Sequence, residues 1–149
     1  MVIKQITTEE RGLVVGLFDA YRVFYKQSSD LTLADNFLKA RLNNNESIIF
    51  VALEKDAPIG FTQLYPKYSS VRAVKNWILN DLYVDAKHRR KGVGEALIRE
   101  AMSFAKENNA KFVQLETAVD NVTAQQLYDV IGFVKQPVDT EYIVYRINV

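Results

Sequence analysis

The residues best suited to chemistry in this sequence lie in one stretch, Leu82-Tyr83-Val84-Asp85-Ala86-Lys87-His88-Arg89-Arg90-Lys91-Gly92-Val93-Gly94. A strand ends, a basic loop follows, and two glycines open an amphipathic helix. Backbone N–H groups at a helix N-terminus have no intrahelical partner and meet the positive end of the macrodipole. Glycines let a bulky anion approach that backbone closely, so the turn is suited to cradling a pyrophosphate. Lys87, Arg89, Arg90 and Lys91 add attraction along the same edge. Two other phosphate loops are excluded. A dinucleotide fingerprint needs Gly or Ala three positions after Gly94, where Leu97 stands. The P-loop string G-x-x-x-x-G-K-[ST] does not occur. Taken alone, a G-x-G is more often a solvated basic loop before an ordinary helix.

A second string gives the first its meaning. Asp120-Asn121-Val122-Thr123-Ala124-Gln125-Gln126-Leu127-Tyr128-Asp129-Val130-Ile131-Gly132-Phe133 follows the turn after an intervening strand. The first segment resembles the R-x-x-G-x-G/A motif of the GNAT acetyltransferases, as Arg89 to Gly94. The second resembles that family's N-x-x-A-x-x-L-Y-x-x-x-G-F. The resemblance covers Pro58 to Phe133 well and the N-terminal helices loosely. It implies an acetyl-CoA-dependent N-acetyltransferase acting on an amine acceptor. The implied fold is a single α/β (α+β) domain over residues 1–149, with acetyl-CoA as cosubstrate. Its sheet would be mixed and mostly antiparallel, of six to seven strands, flanked by about four helices and splayed at the acetyl-CoA site.

By that resemblance Leu82, Tyr83 and Val84 pair with the pantetheine arm, and a backbone N–H there polarises the thioester carbonyl. The amides from Arg90 through Lys91, Gly92, Val93 and Gly94 to Glu95 hold the pyrophosphate, with Arg89 beside them. Asn121 contacts the pantetheine arm, or only caps its own helix. Tyr128 aligns with the tyrosine that protonates the departing CoA thiolate. A phenol with an ordinary pKa of about 10 holds its proton at neutral pH, so the role is chemically sensible. Related enzymes, the spermidine/spermine acetyltransferases among them, carry a carboxylate in an L-E-D-x-x-V strand. Here the strand reads Leu79-Asn80-Asp81-Leu82-Tyr83-Val84, so Asn80 replaces the carboxylate. An amide cannot take a proton from an ammonium. Deprotonation is therefore expected through ordered water, oriented by Asn80, with Asp81 or Glu116 at its far end; a structural role for both acids is the alternative.

His88 is the only histidine and lies in the cofactor loop, away from the expected acceptor. With no cysteine and no second histidine, no metal site is expected. The same absence of cysteine, and of a G-x-S-x-G elbow, favours direct attack of the amine on the thioester over a covalent acyl-enzyme. The acceptor is expected between the first two helices and the connection of the third and fourth strands, where Tyr21, Arg22, Tyr25, Tyr65 and Tyr68 lie. Tyrosines can flank a cationic amine and Arg22 can hold a carboxylate. The tract Tyr21-Arg22-Val23-Phe24-Tyr25 also resembles the group that includes histone and D-amino-acid acetyltransferases. A small amine, polyamine, amino acid or lysine side chain all fit.

These residues require an ordered frame. Val2 to Ile6 alternates as a strand, and Thr7 with Glu10 forms a capping box before a helix carrying Leu13, Leu17, Phe18, Tyr21, Phe24 and Tyr25. Asp30 or Thr32 caps a second helix, which ends at Asn43-Asn44-Asn45. Ser47 to Leu53 reads as a strand buried on both faces, and Gly60 to Tyr65 as its hairpin partner, ended or placed at an edge by Pro66. Trp77 to Val84 is a strand, and Gly92 to Asn108 a helix with a Val93, Leu97, Ala101, Phe104 stripe. Lys111 to Thr117 is a strand, Asn121 to Ile131 a helix, and Phe133 to Val149 supplies two last short strands.

At 149 residues the chain can close one hydrophobic core. Apolar residues at 48% and charged residues at 25% describe a globular chain. A net charge of +1 without a second basic patch argues against nucleic acid as partner. No signal-peptide pattern opens the chain and no apolar run is long enough to span a bilayer, so no membrane partner and a cytoplasmic location are expected. A homodimer is expected from the family's habit of pairing C-terminal strands. The alternative function is a non-catalytic module of the same fold that binds acyl-CoA, which Asn80 favours and Tyr128 opposes.

Overall fold

Ile49, Phe50, Val51 and Ala52 are all buried, so β2 (Ile48–Glu54) has no solvent face. Such a strand must be covered on both sides, and the rest of the fold follows from what covers it. The computed structural model describes residues 1–149, which form two compact units, Met1–Glu116 and Thr117–Val149.

In the first unit β2 lies between β1 (Val2–Gln5) and β3 (Ala57–Ser69), both antiparallel to it. β4 (Val74–Val84) pairs antiparallel with β3, and β5 (Val113–Gln114) pairs parallel with β4, giving the order β1-β2-β3-β4-β5. The parallel step needs a crossover, supplied by α3 (Val93–Glu107). On one face α1 (Gly12–Phe24) and α2 (Leu31–Asn43) close a core of Val14, Leu17, Phe18, Ala34 and Leu38 over Ile49, Val51 and Phe61. On the other, α3 buries Val93, Leu97, Ile98, Ala101 and Ala105. Its Phe104 ring meets Trp77 at 5.2 Å and Phe50 at 5.9 Å.

Several local expectations need correction. The sheet has five strands, not six to seven. The Thr7–Glu10 pair forms, with Glu10 accepting from the Thr7 N–H and hydroxyl at 3.2 Å, but it closes a 3-10 turn and α1 starts only at Gly12. Asp30, not Thr32, caps α2, accepting from the Leu33 N–H at 3.0 Å. Of the two expectations for Pro66, the edge position holds: β3 does not end there but continues to Ser69. Pro66 lies beyond Leu64, the last residue paired toward β2, so β3 has only β4 as neighbour there and the missing donor is tolerated. β5 keeps two residues of the seven expected: at its start the Lys111 and Phe112 amides donate instead to the buried Asn76 side chain at 2.8 and 3.2 Å, and after Gln114 the pairing with β4 stops.

The second unit holds α4 (Val122–Ile131), ended by Gly132 in the left-handed region at φ 113°. Residues 134–149 form no strand. Tyr142, Ile143, Val144, Tyr145 and Ile147 are exposed. Their composition is strand-like, but a strand is made by a partner's hydrogen bonds and by burial of a face, and this segment has neither.

α3 comes close to the sheet at Gly60. A Cβ there would stand 3.0 Å from the Tyr83 carbonyl oxygen, 3.3 Å from Val93 Cγ1 and 3.4 Å from Leu97 Cδ1. The first of these is backbone and cannot turn aside. Gly60→Ala is expected to destabilise the protein by about 1–3 kcal/mol through overpacking. Chemical denaturation should show the lower midpoint with an unchanged slope.

Candidate active site

Along β3 the face beneath α1 and α2 is apolar at Phe61 and turns polar at Gln63. Gln63 pairs with Asp81 on β4, and the next pair is Leu64 with Leu79, so Asn80 is the extra residue of a β-bulge. Bulges re-aim side chains and are frequent beside active sites. Here Asn80 is exposed, whereas Asp81 is 3% exposed.

The Asp81 carboxylate accepts from the Gln63 side-chain amide, and from Asn80 Nδ2 at 2.9 Å. Its backbone carbonyl accepts from the Thr62 hydroxyl at 2.8 Å. The Tyr21 hydroxyl, from α1, donates to the Asn80 carbonyl at 3.5 Å and lies within reach of the Asp81 carboxylate. Burial raises the Asp81 pKa above its ordinary value, against the lowering effect of the hydrogen bonds from Gln63, Asn80 and Tyr21. Burial, and then the Asp81 charge, push the Tyr21 and Tyr65 phenols upward, so both keep their protons. The chemical result is a carboxylate more basic than one in water and ringed by neutral donors, an arrangement able to accept a proton.

β4 leads from this cluster to the glycine turn. β5 accompanies β4 only at Trp77 and Ile78, so from Leu79 to Val84 no strand pairs along that edge. Leu82, Tyr83 and Val84, the residues expected to meet pantetheine, lie in this single-sided stretch. The chain then turns through Asp85, whose side chain accepts from the Lys87 N–H at 3.0 Å. Arg90 is left-handed at φ 60°, and Gly92 at φ 80° is the N-cap of α3. The first intrahelical bond is donated by Ala96, to the Gly92 carbonyl. The Val93, Gly94 and Glu95 amides therefore belong to the turn of a helix that has no internal acceptor. Arg90 and Lys91 are exposed.

Arg89 folds back instead of extending. Its Nε donates to the Val84 carbonyl at 2.9 Å, and its guanidinium stands 5.5 Å from the Tyr83 ring centre and 5.8 Å from that of Phe24. Glu95 pairs with Arg99 at 2.7 Å. His88 sits between Asp85 at 3.2 Å and Glu54 at 3.3 Å, tying the loop to the end of β2.

Tyr21, Tyr65, Asn80 and Asp81 thus come together, and Tyr25 joins through its ring contact with Tyr21 at 5.0 Å. Arg22 turns away, donating to the Ser28 carbonyl at 3.5 Å. Tyr68 is exposed near Lys75, whose ammonium stands 5.6 Å from its ring. Glu116 is exposed beyond β5. Asn121 caps α4, accepting from the Ala124 N–H at 3.2 Å, and the Tyr128 ring meets Phe133 at 5.8 Å, both within the second unit. Sequence reading missed Gln63, Thr62, Phe24 and the inward fold of Arg89. A glutamine amid the apolar residues of a buried strand was the available signal for Gln63.

The sequence model of the acetyltransferase (GNAT) family matches residues 14–133. The chain belongs to that family. The uncharacterized N-acetyltransferase YhfO of Bacillus subtilis (strain 168) is 44% identical over 149 residues, covering 100% of this chain and 98% of the relative. Human N-acetyltransferase 8 is 30% identical over 109 residues, 71% of this chain and 48% of that protein. A crystal structure of a probable acetyltransferase superposes with a TM-score of 0.89 at 39% identity, covering 100% and 98% of the two chains. The aminoglycoside N-acetyltransferase AAC(6')-Iy, in complex with CoA, shares the fold with a TM-score of 0.81 at 17% identity, over 99% of this chain and 95% of that one.

The raised pKa of Asp81 has a consequence for stability. As pH falls, the folded protein takes up this proton before the unfolded chain does, so folding gains relative to a chain lacking the group. Above the raised pKa the desolvated charge is a net cost. The melting temperature of Asp81→Asn relative to the parent should therefore shift in the variant's favour as pH rises from the ordinary carboxylate range to neutrality. Thermal melts across that range check the trend, and a shift in the opposite direction would show that Asp81 is favoured as a carboxylate.

Proposed function

We propose that this chain transfers the acetyl group of acetyl-CoA to a primary amine by direct attack in a ternary complex. The observation that carries the reading is the course of β4. One strand holds a buried carboxylate at a bulge, runs on with one edge unpaired, and delivers the chain to the glycine turn at the start of α3. The family match and the CoA complex of a protein of the same fold support acetyl-CoA as cosubstrate.

In this reaction the pyrophosphate lies against the Val93 to Glu95 amides, and the pantetheine arm follows Leu82 to Val84. Asp81 takes the proton from the bound ammonium, directly or through a water oriented by Asn80. The freed nitrogen lone pair attacks the thioester carbonyl carbon, and backbone donors stabilise the resulting oxyanion. The oxyanion re-forms the carbonyl as the C–S bond breaks; the CoA thiolate takes a proton from Tyr128, and the attacking nitrogen gives up its second proton, which restores the Tyr128 phenol through solvent. Tyr21, Tyr25 and Tyr65 offer aromatic faces and hydroxyls to the amine beside Asp81, which fits a cationic acceptor.

Isothermal titration with acetyl-CoA tests the cofactor half. Gly94→Glu is the informative variant, because Gly92 has a positive φ and a side chain there would disturb the helix cap as well. Tight binding by the parent and its loss in Gly94→Glu are expected; no binding by the parent would end the acetyltransferase reading. For catalysis, Tyr128→Phe should bind acetyl-CoA as the parent does while kcat falls by about 10²-fold or more on an amine identified by panel screening. An unchanged kcat would remove Tyr128 as the general acid.

A further inference from the structure

Gln63 is fully buried on the face of β3 that carries Phe61 into the apolar core. Its Nε2 donates to Asp81 Oδ2, while its Oε1 is buried without a hydrogen-bond partner. An unpartnered buried amide oxygen is costly, and an apolar side chain of the same length would avoid that cost if packing were the only demand. The orphan oxygen belongs to a terminal amide that can turn about its last torsion. With Asp81 ionised, the amide must present its N–H to the carboxylate. With Asp81 protonated, the same amide can present its oxygen to the new O–H.

We propose that Gln63 is the positioning residue for Asp81, holding it in both protonation states by donating to the carboxylate and, after turning, accepting from the acid. This rests on the reading of Asp81 as the proton acceptor. No bond is made to Gln63 itself, and the proton stays on Asp81 until it is released. The paired register of Gln63 and Asp81 keeps the two side chains on one face, so the amide follows the carboxyl without backbone movement. The other groups facing Asp81 are two phenols and one amide, and of the whole set Gln63 alone is wholly buried. Tyr21 from α1 and Tyr65 from β3 are held in their neutral forms, and Asn80 is the exposed bulge residue on the same strand. Arg41 of α2 acts on Tyr65 from beyond it.

The test follows the Asp81 carboxyl carbon by NMR against pH, assigned by its disappearance in Asp81→Asn, together with the Gln63 side-chain amide resonances. In the parent, the amide resonances should titrate with the midpoint of the Asp81 carboxyl. In Gln63→Met, which keeps the bulk and removes the donor, that midpoint should rise by roughly one to two pH units. Gln63→Glu places a second carboxyl there, so the pair shares one proton and a midpoint should rise further, which carries the test if the methionine variant fails to fold. An unmoved Asp81 midpoint in a folded variant, or parent amide resonances that ignore the titration, would overturn the proposal. Failure of the underlying reading looks different: Asp81→Asn would keep the full pH–rate profile while the NMR coupling between Gln63 and Asp81 persisted.

Discussion

A carboxylate removed from water is costly unless its oxygens are met by donors, and Asp81 lies almost wholly inside the sheet beneath α1. Much of the local architecture answers that one demand. Gln63 and Asn80 donate to the carboxylate, Thr62 to its backbone, and Tyr21 closes the group from the helix side. Three donors of different origin converge on the carboxylate because β3 and β4 are long partners and α1 lies directly over them. The remaining desolvation is not cancelled, and it leaves the carboxyl with a raised pKa. The raised pKa costs some stability where the group is ionised, and in the proposed reaction it makes Asp81 a stronger base.

The same strand explains why the cofactor turn stands where it does. β5 leaves β4 after Ile78, so β4 runs on with one neighbour and ends in a turn that needs two left-handed residues, Arg90 and Gly92. Glycine adopts that conformation without a Cβ penalty, and the cap fixes where the first free amides of α3 point. Gly60 lets α3 settle close against β3, which places the helix start against the sheet. Arg89, bound to the Val84 carbonyl and stacked near Tyr83 and Phe24, joins the turn to the end of α1. In the proposed reaction, the acceptor side and the cofactor side are thereby held by contacts within one unit.

What was legible in the sequence was what depends on local chemistry. The β2 run, the α3 stripe, the glycine turn and the Asn121 cap all follow from residues within a few positions of one another. What escaped depends on distant partners. The start of β5 is set by Asn76, a buried side chain far away in sequence that takes two amides. The passage of β3 through Pro66 depends on where β2 stops. The strand-like composition after Phe133 describes what a segment would do beside a partner, and no strand lies beside it here. Gln63 escaped for the same reason, since its significance exists only once Asp81 is known to face it.

The bulge also settles why Asn80 and Asp81 should not be read as interchangeable neighbours. In a regular strand, successive residues point to opposite faces, so a carboxylate moved by one position would change sides of the sheet. The extra residue at Asn80 breaks that alternation, and both side chains remain in hydrogen-bond contact, one exposed and one buried. An amide at the exposed position adds no second charge, and it donates to the carboxylate behind it. The proton acceptor in the proposed reaction therefore lies one layer deeper than a carboxylate at position 80 would.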